Sequence, residues 1–427
     1  MRVLLLGMGS RGDVQPLVAL GERLRRRRGY AVSLAAPADL GHVVAGSAVD
    51  FEPFSFDLEG PLRDGLGRDS LRGSATYQVR EARLMRRVMA DRAEALADDV
   101  TRLVAGADAV VSGALTFDLV DALLAGAPKP HVYAIFAPVW PSAHGESVAL
   151  GLVRHHPSPL NHWWSSLAGR VALDLFRPAG DLVRMRKGLP RRTFRSYSAA
   201  ANRTPTILGA SPVVVPRAPD WPPAVRQTGF WFRATPEEGP TGLGEEVERF
   251  LAAGPAPVHV GFGSMPTPDP DAVVRGVVDV LRALGVRGIV SEGLSGLSLD
   301  RLGAALPPDV LGVGPTRHEE LFRRCAVVVH HGGAGTTAAA LRAGVPQVVV
   351  PHAADQPYWG RRMADLGVAA APIARKDLTP ARLRAALELA LSPETRRAAY
   401  VLGERVRAED GAGDAAGLVD AYLSRRV

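Results

Sequence analysis

The residues Val327 to Arg342 (VVVHHGGAGTTAAALR) read as a buried-type strand, then Gly332, Gly333 and Gly335, then Thr336 and Thr337 opening an Ala-rich helix. Glycines let backbone N–H groups approach an anion and a helix N-terminus adds partial positive charge, so the segment suits a diphosphate. It is not a Walker loop, which requires a lysine missing here. His330 can donate to a phosphate oxygen, and His331 is expected to point elsewhere because side chains alternate along a strand. Adjacent histidines rarely converge on one ion, and no Cys or carboxylate completes a set, so no metal site is expected.

Three further segments carry candidate chemistry. Val260 to Met265 (VGFGSM) ends a strand with glycines and Ser264, which either contacts phosphate or sits in a simple helix-entry loop. Asp269 and Asp271 form a D-x-D among prolines just before a helix, where capping outweighs metal binding. In His352 to Gly360 (HAADQPYWG), Asp355 and Gln356 offer the acceptors and donors that reading vicinal hydroxyls demands, unless Asp355 only caps the next helix with Pro357 in its first turn.

At the other end of the chain, Gly7, Gly9 and Gly12 form G-x-G-x-x-G between a strand and a helix, the context of a dinucleotide site. That fingerprint also needs an acidic residue at the end of the next strand, and Ala31 to Ala38 (AVSLAAPA) supplies none. Asp13 would moreover lie where the pyrophosphate must sit, and like charges repel. Asp13 is then either an N-cap or a carboxylate projecting from a strand-to-helix loop to act as a general base.

These segments need a scaffold that places loops after strands. Arg2–Gly7, Tyr30–Ala36, Ala107–Ser112 and His131–Phe136 read as strands, with helices near 16–28, 76–105 and 116–125. From about 137 to 200 the alternation lapses into a Pro- and Trp-containing loop, a helix around 161–187 and a basic stretch. It restarts with strands at 257–262, 288–291, 310–313, 326–330 and 347–351, separated by helices at 270–284, 317–324, 334–343 and 356–366. Alternating strands and helices imply parallel sheets, in which ligands bind beyond the carboxyl ends of the strands. The expected domains are 1–233 and 244–427, joined by the linker 234–243 (ATPEEGPTGL) and facing each other across a cleft.

Composition narrows the class. With 427 residues, 47% hydrophobic and 22% charged, the chain is expected to be an ordinary soluble protein of two or three domains. One cysteine, Cys325, allows neither an internal disulfide nor a Cys-based zinc site and fits a reducing compartment. No signal-peptide core and no integral membrane segment is legible, so the cytoplasm is the expected location. The net charge of +7 comes almost wholly from arginine, since lysine occurs only at 129, 187 and 376. The basic residues read as scattered among Asp and Glu without a nucleic-acid-binding pattern, so no nucleic acid is expected as a partner.

Taken together, the start MRVLLLGMGSRGDVQPLVALGERL and the segments QTGFWF, GFGSM, HHGGAGTT and DQPYWGRRMADLGV resemble the nucleotide-sugar glycosyltransferases of the UDP-glycosyltransferase superfamily, in particular bacterial natural-product enzymes, with some likeness to sterol glucosyltransferases. The resemblance implies an α/β protein of the GT-B fold, two Rossmann-like domains facing each other across a deep cleft, with a last helical segment at about 393–427 packing back on the N-terminal domain. It implies an inverting, metal-independent transfer of a hexose from a UDP- or dTDP-sugar to an apolar small-molecule hydroxyl, without a cofactor, by a monomer or homodimer.

By the same resemblance Asp13 takes the place of the catalytic base, while Ser10 and Gly12 line the site near the diphosphate. Arg317 and His318 sit by the nucleobase. Ser264, His330, Gly332, Gly333, Gly335 and Thr336 hold the diphosphate, and Asp355 and Gln356 the sugar. Asp118 is a possible partner of the base position, although an Asp at 13 removes the need for one. Phe54, Phe56, Tyr77, Phe136, Trp140, His144, Trp163 and Trp164 are candidate walls of an acceptor pocket, with ordinary core packing the competing reading for each. A sugar-nucleotide epimerase or hydrolase, or a catalytically idle partner protein of the same fold, is the alternative. A carboxylate of ordinary pKa ~3.9 is a weak base at neutral pH, so a phenolic acceptor (pKa ~10) is easier to deprotonate than an aliphatic alcohol.

Overall fold

A computed structural model describes residues 1–57, 75–149, 156–233, 243–263, 269–292, 295–299, 307–314 and 316–424, with 75–82 in backbone only. Two compact units are present: the described residues of 1–66, 78–239 and 409–427 form the first, and those of 67–77 and 240–408 the second. The linker expected at 234–243 lies outside the described residues except for Leu243.

The first unit is built on seven parallel strands, β1 (Arg2–Leu6), β2 (Ala31–Ala36), β3 (Asp50–Pro53), β4 (Ala109–Ser112), β5 (His131–Ile135), β6 (Thr206–Leu208) and β7 (Val225–Gln227), in the order β3-β2-β1-β4-β5-β6-β7. Its helices are α1 (Arg11–Arg28), α2 (Gly41–Val44), α3 (Ala75–Asp91), α4 (Ala93–Gly106), α5 (Phe117–Leu123), α6 (Pro159–Phe176), α7 (Pro178–Arg186) and α8 (Phe194–Arg203). Val3 to Leu6 are all buried because helices cover both faces of the sheet, so their side chains need apolar partners on either side.

The second unit repeats the plan. Strands β8 (Val258–Gly261), β9 (Gly288–Ser291), β10 (Val310–Val313), β11 (Val327–His330) and β12 (Gln347–Val349) run parallel in the order β10-β9-β8-β11-β12. The helices are α9 (Glu245–Ala252), α10 (Pro270–Leu284), α11 (His318–Phe322), α12 (Ala334–Ala343), α13 (Gln356–Asp365), α14 (Pro380–Ala390) and α15 (Pro393–Arg407). The final helix, α16 (Gly411–Ser424), belongs to the first unit.

Several expectations change. The helix read over 76–105 is two helices, α3 and α4, and that read over 161–187 is α6 and α7, broken before Pro178. Strands β3, β6 and β7 went unread because they are three or four residues long and carry no sustained apolar run. The segment 393–427 does not act as one piece. Its first helix, α15, packs on α12 of its own unit, while α16 alone packs on α1, where the Tyr30 hydroxyl donates to Asp420 Oδ1 at 2.6 Å and Arg28 pairs with the same carboxylate.

The α12–α15 contact depends on a missing side chain. A Cβ on Gly403 would lie 2.6 Å from Gly344 Cα and 2.8 Å from the Leu341 carbonyl, both backbone. Gly403→Ala is therefore expected to destabilise the protein by about 1–3 kcal/mol. Gly106→Ala, with no atom within 4 Å, should stay within about 0.5 kcal/mol of the parent. Urea denaturation of the two variants side by side checks the pair.

Candidate active site

In each sheet the strand order reverses once, between β1 and β4 in the first unit and between β8 and β11 in the second. Open parallel sheets bind ligands at such points, beyond the carboxyl ends of the strands. The loop after β1 carries Gly7 to Asp13, and the loops after β8 and β11 carry Gly261 to Gly263 and His331 to Gly333. The two glycine segments therefore stand at equivalent places in two similar sheets, but they are built differently.

At the first point Ser10, not Asp13, is the N-cap of α1. Its Oγ accepts from the Gly12 N–H at 3.2 Å, and Asp13, at the third helical position, accepts the Ser10 N–H on Oδ2 at 2.9 Å. This reciprocal box uses the carboxylate to answer the positive end of the helix. Gly9, at φ +124°, admits it: a Cβ there would lie 2.3 Å from Asp13 Oδ2. The half-buried Asp13 thus fills the place a pyrophosphate would need in a dinucleotide site.

At the second point the helix end is open. Gly333 is the N-cap of α12 and provides no side-chain hydrogen bond, and the first N–H groups of a helix have no acceptor within it. Gly335 is exposed and Thr336 half-buried at this terminus. Gly332 adopts φ +90°, and a Cβ on it would lie 2.6 Å from Val349 Cγ1, so it fixes the turn rather than facing a ligand.

The two histidines exchange the parts expected for them. His330 is fully buried; its Nε2 donates to Gln347 Oε1 at 2.8 Å and its Nδ1 accepts the Gly332 N–H at 3.0 Å. With both nitrogens engaged, it cannot donate to a phosphate and instead props the glycine turn. His331 lies between the two loops: a Cβ on Gly333 would lie 2.6 Å from its Nε2 and one on Gly263 3.4 Å from its Cε1. Its Nδ1 is buried with no hydrogen-bond partner among the described residues. Strand alternation misplaced the pair because β11 ends at His330, where the rule stops.

Gln356 is also turned inward. It is 5% exposed, and its Oε1 accepts from the N–H groups of His352 at 2.7 Å and Ala353 at 2.9 Å, stapling a loop in which Ala354 takes φ +54°. Through Oε1 the side chain acts as a loop staple. Asp355 is half-buried and accepts from Trp359 Nε1 at 2.8 Å, and burial raises its carboxyl above the usual range. Asp355 stands at the start of α13 without a capping hydrogen bond from its side chain.

The remaining candidates separate. Arg317 donates to Glu320 at 3.0 Å, and the His318 ring stacks on Phe322 with centroids 4.8 Å apart, both half-buried at the start of α11. Ser264 lies outside the described residues, as does the side chain of Tyr77. Asp269 caps α10 through the Ala272 N–H at 2.9 Å. Phe54 and Trp140, at 1% and 5% exposure, belong to the core, Phe54 against Phe56 and Trp140 against Trp221, so neither walls a pocket.

Phe136 is half-buried edge-on to Trp231, and His144 faces Asp220 at 3.4 Å. Asp220, which the sequence did not single out, also takes the Ser142 hydroxyl and the Ala143 N–H and so fixes the loop carrying His144. Asp118 is buried against Arg192 and Arg184, a structural pairing in which burial raises the carboxyl above the usual range while the two arginine charges oppose the rise.

Five histidines are held neutral by burial: His131 and His331 at about 4, His330 and His352 at about 3, and His259 well below its ordinary value. An unfolded histidine titrates near 6.5, so below that pH the unfolded chain binds protons that the folded chain refuses. Their contribution is complete above about pH 6.5 and is lost as pH falls towards 4, at up to ~1.4 kcal/mol per pH unit for each histidine. The urea midpoint is expected to drop between pH 7 and pH 5, with a shallower slope in a His331→Gln variant. A flat profile over that range contradicts the burial of these rings.

Comparison with known proteins adds the following. Residues 298–414 match the family described as "Erythromycin biosynthesis protein CIII-like, C-terminal domain", and residues 3–118 match "Glycosyltransferase family 28 N-terminal domain". The chain is 35% identical over 440 residues to a vancomycin aglycone glucosyltransferase of Amycolatopsis orientalis, covering 100% of this chain and 98% of that one. It is 32% identical to an O-mycaminosyltylonolide 6-deoxyallosyltransferase of Streptomyces fradiae, covering 100% and 99%. Among solved structures it is similar to the glycosyltransferase VinC in complex with DTDP, with a TM-score of 0.63, 19% identity and full coverage of both chains. That likeness concerns the fold.

Proposed function

The chain belongs to the UDP-glycosyltransferase superfamily and is a glycosyltransferase, and from that premise we propose that it moves a hexose from a UDP- or dTDP-sugar to a hydroxyl of an apolar natural product with inversion at the anomeric carbon. The observation that carries the reading is the contrast between the two helix N-termini. One is closed by its own carboxylate; the other is left open by glycines.

In this reading the open end of α12 receives the diphosphate. The N–H groups of Ala334, Gly335 and Thr336 and the partial charge of the helix stabilise the negative charge that grows on the leaving group, and His331 is the ring nearest that charge. A neutral imidazole can donate one hydrogen bond there without carrying a proton into the site. Because fixed dipoles meet the diphosphate, the displacement needs no metal ion. Asp355 takes a sugar hydroxyl while Trp359 fixes its orientation.

Asp13 accepts the proton of the attacking hydroxyl. Oδ2 already accepts from the Ser10 N–H, so the carboxylate is held in one orientation. Proton transfer then comes late, after attack has made the hydroxyl acidic, and phenols should react faster than aliphatic alcohols. The relatives' printed names, a glucosyltransferase and a 6-deoxyallosyltransferase, support a hexose donor and a large aglycone acceptor.

The test is a panel of UDP- and dTDP-hexoses with glycopeptide, macrolide and phenolic aglycones, read by mass spectrometry with EDTA present. Glycosylated product with inverted configuration is expected. Asp13→Asn, which keeps an acceptor for the Ser10 N–H, should lower kcat by roughly 10²–10⁴-fold while the thermal midpoint stays close to the parent. Full turnover by that variant removes Asp13 as the base. Consumption of the sugar nucleotide without any acceptor turns the reading towards an epimerase or hydrolase.

A further inference from the structure

Helix α6 is inside out. Its buried residues are Asn161, Ser165 and Leu173, and the two polar ones are hydrogen-bonded: Asn161 Nδ2 donates to the His156 carbonyl at 2.9 Å, and Ser165 Oγ donates to the Asn161 carbonyl at 2.6 Å. Leu160, Trp163, Trp164, Leu167 and Val171 are exposed instead, Trp163 by 57%. Their spacing of i, i+3, i+4, i+7 and i+11 makes them one continuous stripe. A water-facing helix ordinarily shows the reverse arrangement, and a contiguous apolar patch marks a surface that meets something apolar.

Charge identifies what it meets. Residues 154–203 contain ten Arg or Lys and two Asp; Arg184, Arg186 and Arg192 are paired with Asp98, Asp118 and Asp121 of other helices, so the positive charge beside this helix rests on the arginines that lack such partners. Beside the stripe, Arg170, Arg177 and Arg195 line a pocket of about 370 Å³ with Asp174, Thr193 and Phe194. Asp174 pairs with Arg177 and Arg86, whereas Arg170 and Arg195 have no carboxylate partner among the described residues. A second copy of the chain would bring the same positive charge to the contact. A nucleic acid would use the tryptophans and arginines but leave Leu160, Leu167 and Val171 in water.

We propose that α6 is a peripheral docking face for an anionic phospholipid bilayer, with Leu160, Trp163, Trp164, Leu167 and Val171 entering the interface and the Arg170, Arg177 and Arg195 pocket taking a lipid phosphate. Tryptophans prefer the boundary between headgroups and acyl chains, and basic residues at its level are drawn to anionic lipid. The contact is superficial and reversible, and it would place the first unit where apolar acceptors partition. The inference stands independently of the donor and acceptor proposed above.

Co-sedimentation of the full chain with sucrose-loaded phosphatidylcholine vesicles, with and without phosphatidylglycerol, tests it. Binding to the anionic vesicles at low salt, weakened by added salt and accompanied by a blue shift of tryptophan emission, is expected. Replacing both Arg170 and Arg195 by Ala should weaken binding by about 30-fold, taking the usual contribution of a basic residue near an anionic surface. Trp163→Ala with Trp164→Ala should abolish the blue shift and weaken vesicle binding while the thermal midpoint stays unchanged.

Three results overturn the proposal: no sedimentation with anionic vesicles at low salt; equal binding by the tryptophan variant; or concentration-dependent dimerisation that the tryptophan variant abolishes, which would assign the stripe to a second copy.

Discussion

A helix that starts at the mouth of a parallel sheet presents unpaired N–H groups and partial positive charge, and something must answer them. In this protein that requirement is met in two ways. At α1 the answer is internal: Ser10 and Asp13 cap the helix reciprocally, and Gly9 provides the space for the carboxylate. At α12 the cap is a glycine without a side chain, and the turn before it is kept in place by residues that do not themselves face the opening. The two termini differ in capping alone, since the sheets that carry the two helices share one topology around their first strands.

Rigidity at the open end is supplied from behind. Gln347 holds His330, His330 holds the Gly332 N–H, and Gln356 gathers the N–H groups of His352 and Ala353 into the adjoining loop. These are buried polar groups with satisfied partners, which specify one arrangement of the backbone more sharply than apolar packing alone. At the other point α16 serves α1 in a comparable way: Asp420 gathers Tyr30, Arg27 and Arg28 at the helix C-terminus, leaving the N-terminal turn to the capping box. The backbone that would meet substrate is thus positioned by side chains that do not touch it.

This explains which parts were legible in the sequence. Helices α10 and α12 read to the residue, because an Asp or Gly start, a left-handed glycine stop and one apolar face are local signals. Strands β8 to β12 read well because their apolar runs are bounded by glycine and proline. Side-chain destinations did not. Whether His330 or His331 reaches the loops depends on where β11 stops, and whether Gln356 points out or in depends on two backbone N–H groups of the preceding loop. Phe54 and Trp140 were ambiguous for a related reason: each has the same composition signature whether it walls a pocket or fills a core, and only the packing on Phe56 and Trp221 shows them buried.

Helix α6 shows the same principle with the opposite outcome for the surface. Burying Asn161 and Ser165 would cost several kcal/mol if they were left without partners, but each finds one within the same stretch of chain, so the cost is removed locally. Gly169 completes the contact, since a Cβ there would lie 2.8 Å from the Phe194 ring. The helix is therefore attached by hydrogen bonds and close approach, and its large apolar side chains are not needed for the core. Their placement in water lowers nothing in the folding of this unit. A periodic stripe of two tryptophans and three aliphatic residues that folding does not use, beside Arg170 and Arg195, is the pattern of a surface shaped for contact rather than for stability.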